Sequence, residues 1–139
     1  MSPDMSKKSL IRLRDAAYAA QGGLCFYCRH PMWQSHPEKF SRDYGLATVN
    51  VRRFQCTAEH LIPREKGGKD TRGNIVAACL YCNCQRHRAR TARSPEGHRD
   101  HVQRRLACGR WHLKCTKRLA ASAAVRCTGL LAGREAAGP

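Results

Sequence analysis

Between residues 9 and 21 the apolar positions Leu10, Leu13, Ala17 and Ala20 recur at helical spacing, with Arg12, Arg14 and Asp15 off the stripe. This predicts a helix with Ser9 as N-cap and Gly22-Gly23 as its stop; residues 1–8 read as a loose lead-in. Residues 29–46 carry two prolines and scattered polar residues and read as a loop. Trp33, Phe40 and Tyr44 in that loop can pack over a small core or stack on bases, and packing is the commoner use of such rings. The period then changes to two. Ala47, Val49 and Val51 alternate with Thr48, Asn50 and Arg52, and Phe54, Cys56 and Ala58 alternate with Gln55 and Thr57, which predicts strand over 46–58, ended by Pro63. Arg64–Gly73 is a Gly-rich charged loop, and Ile75-Val76-Ala77-Ala78 is a short apolar run that fits a second, buried strand. Cys79–Cys82 makes a tight knuckle. Asn83–Arg93 lacks Gly and Pro and is expected to be a helix that Ser94-Pro95 ends. A basic helix is expected within 98–117, interrupted at Gly109. From Leu119 the chain is Ala-rich, Gly-punctuated and expected to be weakly ordered.

Composition narrows the picture. A chain of 139 residues with few aromatics holds one modest domain plus tails, and its core is small enough to need a staple. The net charge of +16 points to a polyanionic partner, most simply nucleic acid, although a solubilising surface or a GC-rich coding bias also produces Arg. No leader peptide is expected at the start, and no run approaches the length of a membrane span. Nine cysteines, an odd number, therefore read as metal ligands in a reducing compartment rather than as a disulfide framework. The expected setting is cytoplasmic, of bacterial or phage origin, with no membrane partner.

Two Cys-x-x-Cys knuckles, Cys25/Cys28 and Cys79/Cys82, offer four thiolates for a tetrahedral Zn²⁺. Their separation ties the N-terminal helix to the far end of a hairpin. Cys84 is a spare, Cys56 is expected to pack inside its strand, and Cys108, Cys115 and Cys127 lack paired spacing. A second site built from those three with His101 and His112 is disfavoured.

The stretch from Thr57 to Arg86 also carries Glu59-His60, Gly67-Gly68, Asn74 and Asn83. Phosphodiester hydrolysis needs an activated water, charge stabilisation at the phosphate and help for the leaving oxygen. A neutral His can take the proton, and a hard divalent ion bound by one carboxylate and one amide oxygen can stabilise the phosphate. A strand–loop–strand–helix unit can bring Glu59 and Asn83 to one ion with His60 facing the phosphate, while the Asn74 amide holds the loop closed. In isolation His60 is as well read as a core His, Asn74 as a turn residue and Asn83 as a helix cap; their joint order carries the functional reading. His87, four residues after Asn83, reads as a solvated helix face or as an extra metal or phosphate ligand.

Together these residues resemble the HNH endonuclease family over roughly residues 9–93: both knuckles, Glu-His-x-x-Pro at 59–63, Gly-Gly at 67–68, Asn-Ile at 74–75 and Cys-x-x-Cys-Asn-x-x-Arg at 79–86. The resemblance implies an α+β fold, a zinc-stapled ββα-metal domain over 9–93 with a preceding helix. Residues 94–139 would then be a basic extension, partly helical and partly disordered. It implies that His60 is the general base, that Glu59 and Asn83 hold catalytic Mg²⁺ or Mn²⁺, and that Asn74 organises the site, in the His-Asn-Asn version. Glu59 stands where Asp is usual, and the insert between Cys28 and Glu59 is long.

Arg64, Lys66, Lys69 and Arg72 crowd the loop, and Arg86, Arg88, Arg90 and Arg93 follow; these are the candidate phosphate contacts. Farther on, Arg104, Arg105, Arg110, Lys114, Lys117 and Arg118 can extend the footprint, with Trp111 among them to stack or pack. No sequence-reading module is present, so the expected partner is DNA bound with low sequence specificity, or with a dimer or protein partner supplying it. Two other readings stand beside the DNA endonuclease: a non-catalytic zinc module that binds nucleic acid, and an RNA-directed nuclease.

Overall fold

The computed structural model describes residues 3–112 and 118–122. Its elements run, in chain order, α1 (Pro3–Ala20), α2 (Pro37–Tyr44), α3 (Thr48–Val51), a 3₁₀ turn (Arg52–Phe54), β1 (Cys56–His60), a 3₁₀ turn (Arg64–Lys66), β2 (Ile75–Cys79), α4 (Leu80–His87) and α5 (Pro95–Ala107). The two strands pair antiparallel, with Cys56 opposite Cys79, Ala58 opposite Ala77 and His60 opposite Ile75. With α4 following directly, this is an α+β domain built on a ββα unit.

The first helix begins six residues earlier than its expected cap: Ser9 lies inside it, and residues 3–8 are helical rather than loose. Its inward stripe is Leu10, Leu13, Ala17 and Tyr18, all half-buried, while Ala20 is exposed. Gly22 and Gly23 have left-handed φ values of 64° and 76°, a conformation that favours glycine, and they turn the chain into the first knuckle. Gln21 then couples the helix end to the hairpin. Its Nε2 donates to Leu24 O and Ala77 O, both at 2.8 Å, and its Oε1 accepts from Ala77 N at 2.9 Å. The outer edge of β2 is therefore covered instead of open.

The region before β1 departs most from expectation. Residues 37–44, expected as loop, form α2. Pro37 occupies its first turn, the rings of Phe40 and Tyr44 meet one turn apart, tilted by 52° with centroids 4.7 Å apart, and Gly45 ends it at φ 63°. Residues 48–54, expected as strand, are helical turns. Alternation over so short a run also contains the i, i+3 pair Val51 and Phe54, and burial of that pair decides the conformation. Val49, expected on the inner face of a strand, is 83% exposed. The Val51 carbonyl accepts from Trp33 Nε1 at 2.8 Å, so the ring of Trp33 packs here. Strand begins only at Cys56.

Two apolar clusters result. Phe40, Leu46, Val51, Phe54 and Leu119 form one, so Leu119, expected in a weakly ordered tail, is buried. The other surrounds the four knuckle cysteines with Tyr27, Met32, Cys56, Ala77, Ala78, Val102 and Trp111. The last helices are also offset from expectation. Because Cys79 is its own N-cap, α4 starts within the knuckle and ends at His87 instead of running 83–93. Ser94-Pro95 then opens α5, with the Ser94 side chain accepting from Gly97 N at 3.0 Å. As expected, Gly109 interrupts the helical path, at φ 66°. The Ala-rich residues 123–139, including Cys127, and residues 113–117, with Lys114, Cys115 and Lys117, lie outside the described residues. No described helix is long and apolar enough to cross a membrane.

Candidate active site

Cys25, Cys28, Cys79 and Cys82 are all buried, with their sulfurs within 4.8 Å of one another. Three backbone amides point at two of the thiols: Tyr27 N and Cys79 N at Cys25 Sγ (3.4 and 3.3 Å), and Cys82 N at Cys79 Sγ (3.4 Å). Burial pushes the Cys28 and Cys82 thiols well up; Cys25, equally buried, is drawn well down by hydrogen bonds from Cys28, Cys79 and Cys82. Four sulfurs brought this close suit a tetrahedral ion, which would take them as thiolates and balance their charge. The cluster is thus shaped as a structural zinc site. A contact that sequence reasoning missed completes its surroundings: Trp111 Nε1 donates to Cys82 Sγ at 3.2 Å. On the same side, His98 Nε2 lies 3.0 Å from Cys82 O, and burial pulls that imidazole down to about 4, so its ring is neutral. Cys84 and Cys108 are exposed and Cys56 is buried, its thiol pushed up to about 12 by burial. His112 approaches Cys28 and His30 rather than Cys108, and since Cys28 already belongs to the four-thiol set, this group is not an independent site.

The opposite end of β1 carries Glu59 and His60. Glu59 points inward, 1% exposed, against α4. Its Oε1 accepts from Arg86 Nη1 at 3.1 Å and lies 2.9 Å from His87 Nε2, while Oε2 is buried with no partner among the described residues. An orphaned carboxylate oxygen in the interior is a costly feature, and a hard cation is a natural partner for it. Asn83 is anchored through Nδ2, which lies 3.0 Å from Thr57 Oγ1 and 3.3 Å from Ala58 O, so its amide oxygen takes no hydrogen bond among the described residues. Helix α4 thus sets Asn83 and His87 one turn apart beside β1. The His87 contact with Glu59 was not the favoured reading from sequence; its spacing of four from Asn83 was the available signal.

At the same strand end His60 Nε2 lies 2.8 Å from Asp70 Oδ1. Arg64 donates to the same carboxylate through Nη2, at 3.0 and 3.2 Å. The hydrogen bond to His60, with Arg64 beside it, holds the Asp70 carboxyl below its usual value. Asp70 was not among the sequence candidates, because nothing in a Gly-Gly-Lys-Asp loop says where the loop folds back. The fold-back is set by two other residues. Asn74 accepts from Ile62 N at 2.8 Å and donates to Ile62 O and Lys69 O at 3.1 and 3.0 Å. Gly68 passes so near Ile62 that a Cβ there would lie 1.6 Å from the Ile62 carbonyl oxygen.

Arg86, expected to grip phosphate, is only 2% exposed and does not face solvent. Besides Glu59, its guanidinium donates to His60 O and Leu61 O, both at 2.9 Å, and to Arg93 O at 3.0 Å. It is an internal clamp between α4, the end of β1 and the segment after α4. Arg64, Lys66, Lys69, Arg72 and Arg90 are exposed, and the first four belong to the segment between β1 and β2.

A ββα unit beside a buried four-cysteine cluster, with Glu-His at the end of its first strand, has the architecture of the ββα-metal class. Residues 48–89 match the family model of the HNH endonucleases, and this stretch is an HNH domain. The match spans β1, β2 and α4. HNH domains use a divalent metal and act on nucleic acids. No curated protein and no solved structure matches the chain.

Proposed function

We propose that the chain is a divalent-metal-dependent endonuclease that hydrolyses phosphodiester bonds in DNA. The observation that carries this reading is the buried, unpartnered Oε2 of Glu59, set beside α4 at the strand end that also presents His60. Glu59 and Asn83 would hold Mg²⁺ or Mn²⁺, and the contact between His87 and Glu59 supports His87 as an additional ligand. When bound, the ion supplies Lewis-acid stabilisation of the phosphate and the leaving oxygen. His60 takes the proton from water, and Asn74 keeps the loop that faces it closed. Arg64, Lys66, Lys69, Arg72 and Arg90 attract the phosphate backbone without reading bases, which fits low sequence specificity. A lone site of this kind nicks one strand.

One observation favours a second reading, a non-catalytic zinc module that binds nucleic acid. The buried Arg86 guanidinium already neutralises Glu59, which weakens the attraction of that carboxylate for a cation. Incubating zinc-loaded protein with supercoiled plasmid and with an RNA of similar length separates the readings. Open-circular plasmid formed only with Mg²⁺ or Mn²⁺ supports the DNA endonuclease. Salt-sensitive binding without cleavage supports the binding module, and preferential RNA cleavage moves the substrate.

A further inference from the structure

We infer that Asp70 is a positioning residue for the reaction: it fixes His60 in the Nε2–H tautomer and leaves Nδ1 as the atom that accepts the proton. The inference rests on the nuclease reading for its catalytic consequence and on geometry for the tautomer. Asp70 Oδ1 lies 2.8 Å from His60 Nε2, the length of a charge-assisted hydrogen bond. Two Arg64 contacts, at 3.0 and 3.2 Å, keep the carboxylate charged and correctly turned. A carboxylate only accepts, so the proton must sit on Nε2. Arg64 Nε also approaches Nε2, at 3.3 Å, and as a donor it would require the opposite tautomer. The Asp70 contact is shorter and joins a donor to an anion, so it prevails.

The remaining ring nitrogen suits the task. Nδ1 of His60 makes no hydrogen bond among the described residues, and it is absent from the buried orphan atoms, so water reaches it. A carboxylate behind a general base orients the ring and stabilises the imidazolium formed when water is deprotonated. Nothing in this step changes oxidation state: the water proton moves to Nδ1, the hydroxide pair forms the new bond to phosphorus, and the bond from phosphorus to the leaving ester oxygen breaks with its pair on that oxygen, which takes a proton from solvent. The Gly68 approach and the Asn74 clamp gain a purpose here, since they fold the loop so that Asp70, ten residues downstream of His60, meets its ring.

The test uses the full zinc-loaded chain with ¹⁵N-labelled histidine, the His60 signals assigned by their loss in His60→Gln. The wild type should show the Nε2–H tautomer, Asp70→Ala should lose it, and Asp70→Asn, which keeps an acceptor oxygen, should restore it in part. In nicking assays Asp70→Ala should lower kcat by roughly tenfold or more, a fraction of what a general base contributes, at nearly unchanged KM. An Nδ1–H tautomer in the wild type, or the same tautomer in Asp70→Ala, overturns the assignment whether or not DNA is cut. Absence of cleavage by wild-type protein with an Nε2–H tautomer would instead overturn the nuclease reading and with it the catalytic consequence.

Discussion

Glu59 is the residue on which the account turns. Its side chain is buried beside a buried arginine, and one of its oxygens is unpartnered. Removing Arg86 would leave that carboxylate without its buried countercharge and take one donor from each of three backbone carbonyls. Arg86→Ala should therefore cost about 3–5 kcal/mol of stability, read as a lower urea midpoint; a loss below about 1 kcal/mol would show that the clamp is not formed. Asp70 makes a prediction of opposite kind. Its folded pKa lies below the ordinary value of 3.8, so its contribution to stability is complete above that pH and disappears as pH falls through the folded value. The gap in urea midpoint between wild type and Asp70→Asn should thus narrow as pH falls below about 4. A gap that widens below that pH would contradict the pairing.

At the scale of elements, the loop between β1 and β2 is what brings separate residues into a site. Gly68→Ala would drive a methyl into the Ile62 carbonyl, and should destabilise the protein by roughly 1–3 kcal/mol. Amide exchange should rise within 61–74 and remain slow at Cys79. The hairpin, the knuckles and the helix stop at Gly22-Gly23 were legible because each rests on local chemistry: a buried apolar run, a fixed Cys spacing, a positive φ. Thr48–Phe54 was not, since its alternation fits a strand and its Val51/Phe54 pair fits a helix; packing against Phe40 chose between them. Helix α2 was legible after the fact, with proline at its start and glycine at its end, but scattered polar residues masked it. The inward turn of Arg86 and the meeting of Asp70 with His60 depend on tertiary fold-back, which no sequence interval encodes. His87 lay between: its spacing was visible and its contact was not.

For the molecule as a whole, the four-cysteine cluster joins the chain before the hairpin, the hairpin itself and, through Trp111, the segment after α5. Structural zinc can supply on the order of 10 kcal/mol of apparent folding free energy. Stripping the metal with a strong chelator should abolish the cooperative unfolding transition, and one zinc per chain should restore it. Truncation after residue 93 would also remove Val102 and Trp111 from the cluster and should leave a chain that binds zinc but unfolds at lower denaturant. The central claim is that this scaffold presents His60 to a phosphodiester. The most direct measurement is Mg²⁺-started nicking of supercoiled plasmid by zinc-loaded wild type and His60→Ala, both shown to be folded by circular dichroism. Open-circular product is expected from the wild type, with a rate at least about a hundredfold lower from the variant. Equal rates from the two proteins, or no product from either, would contradict it.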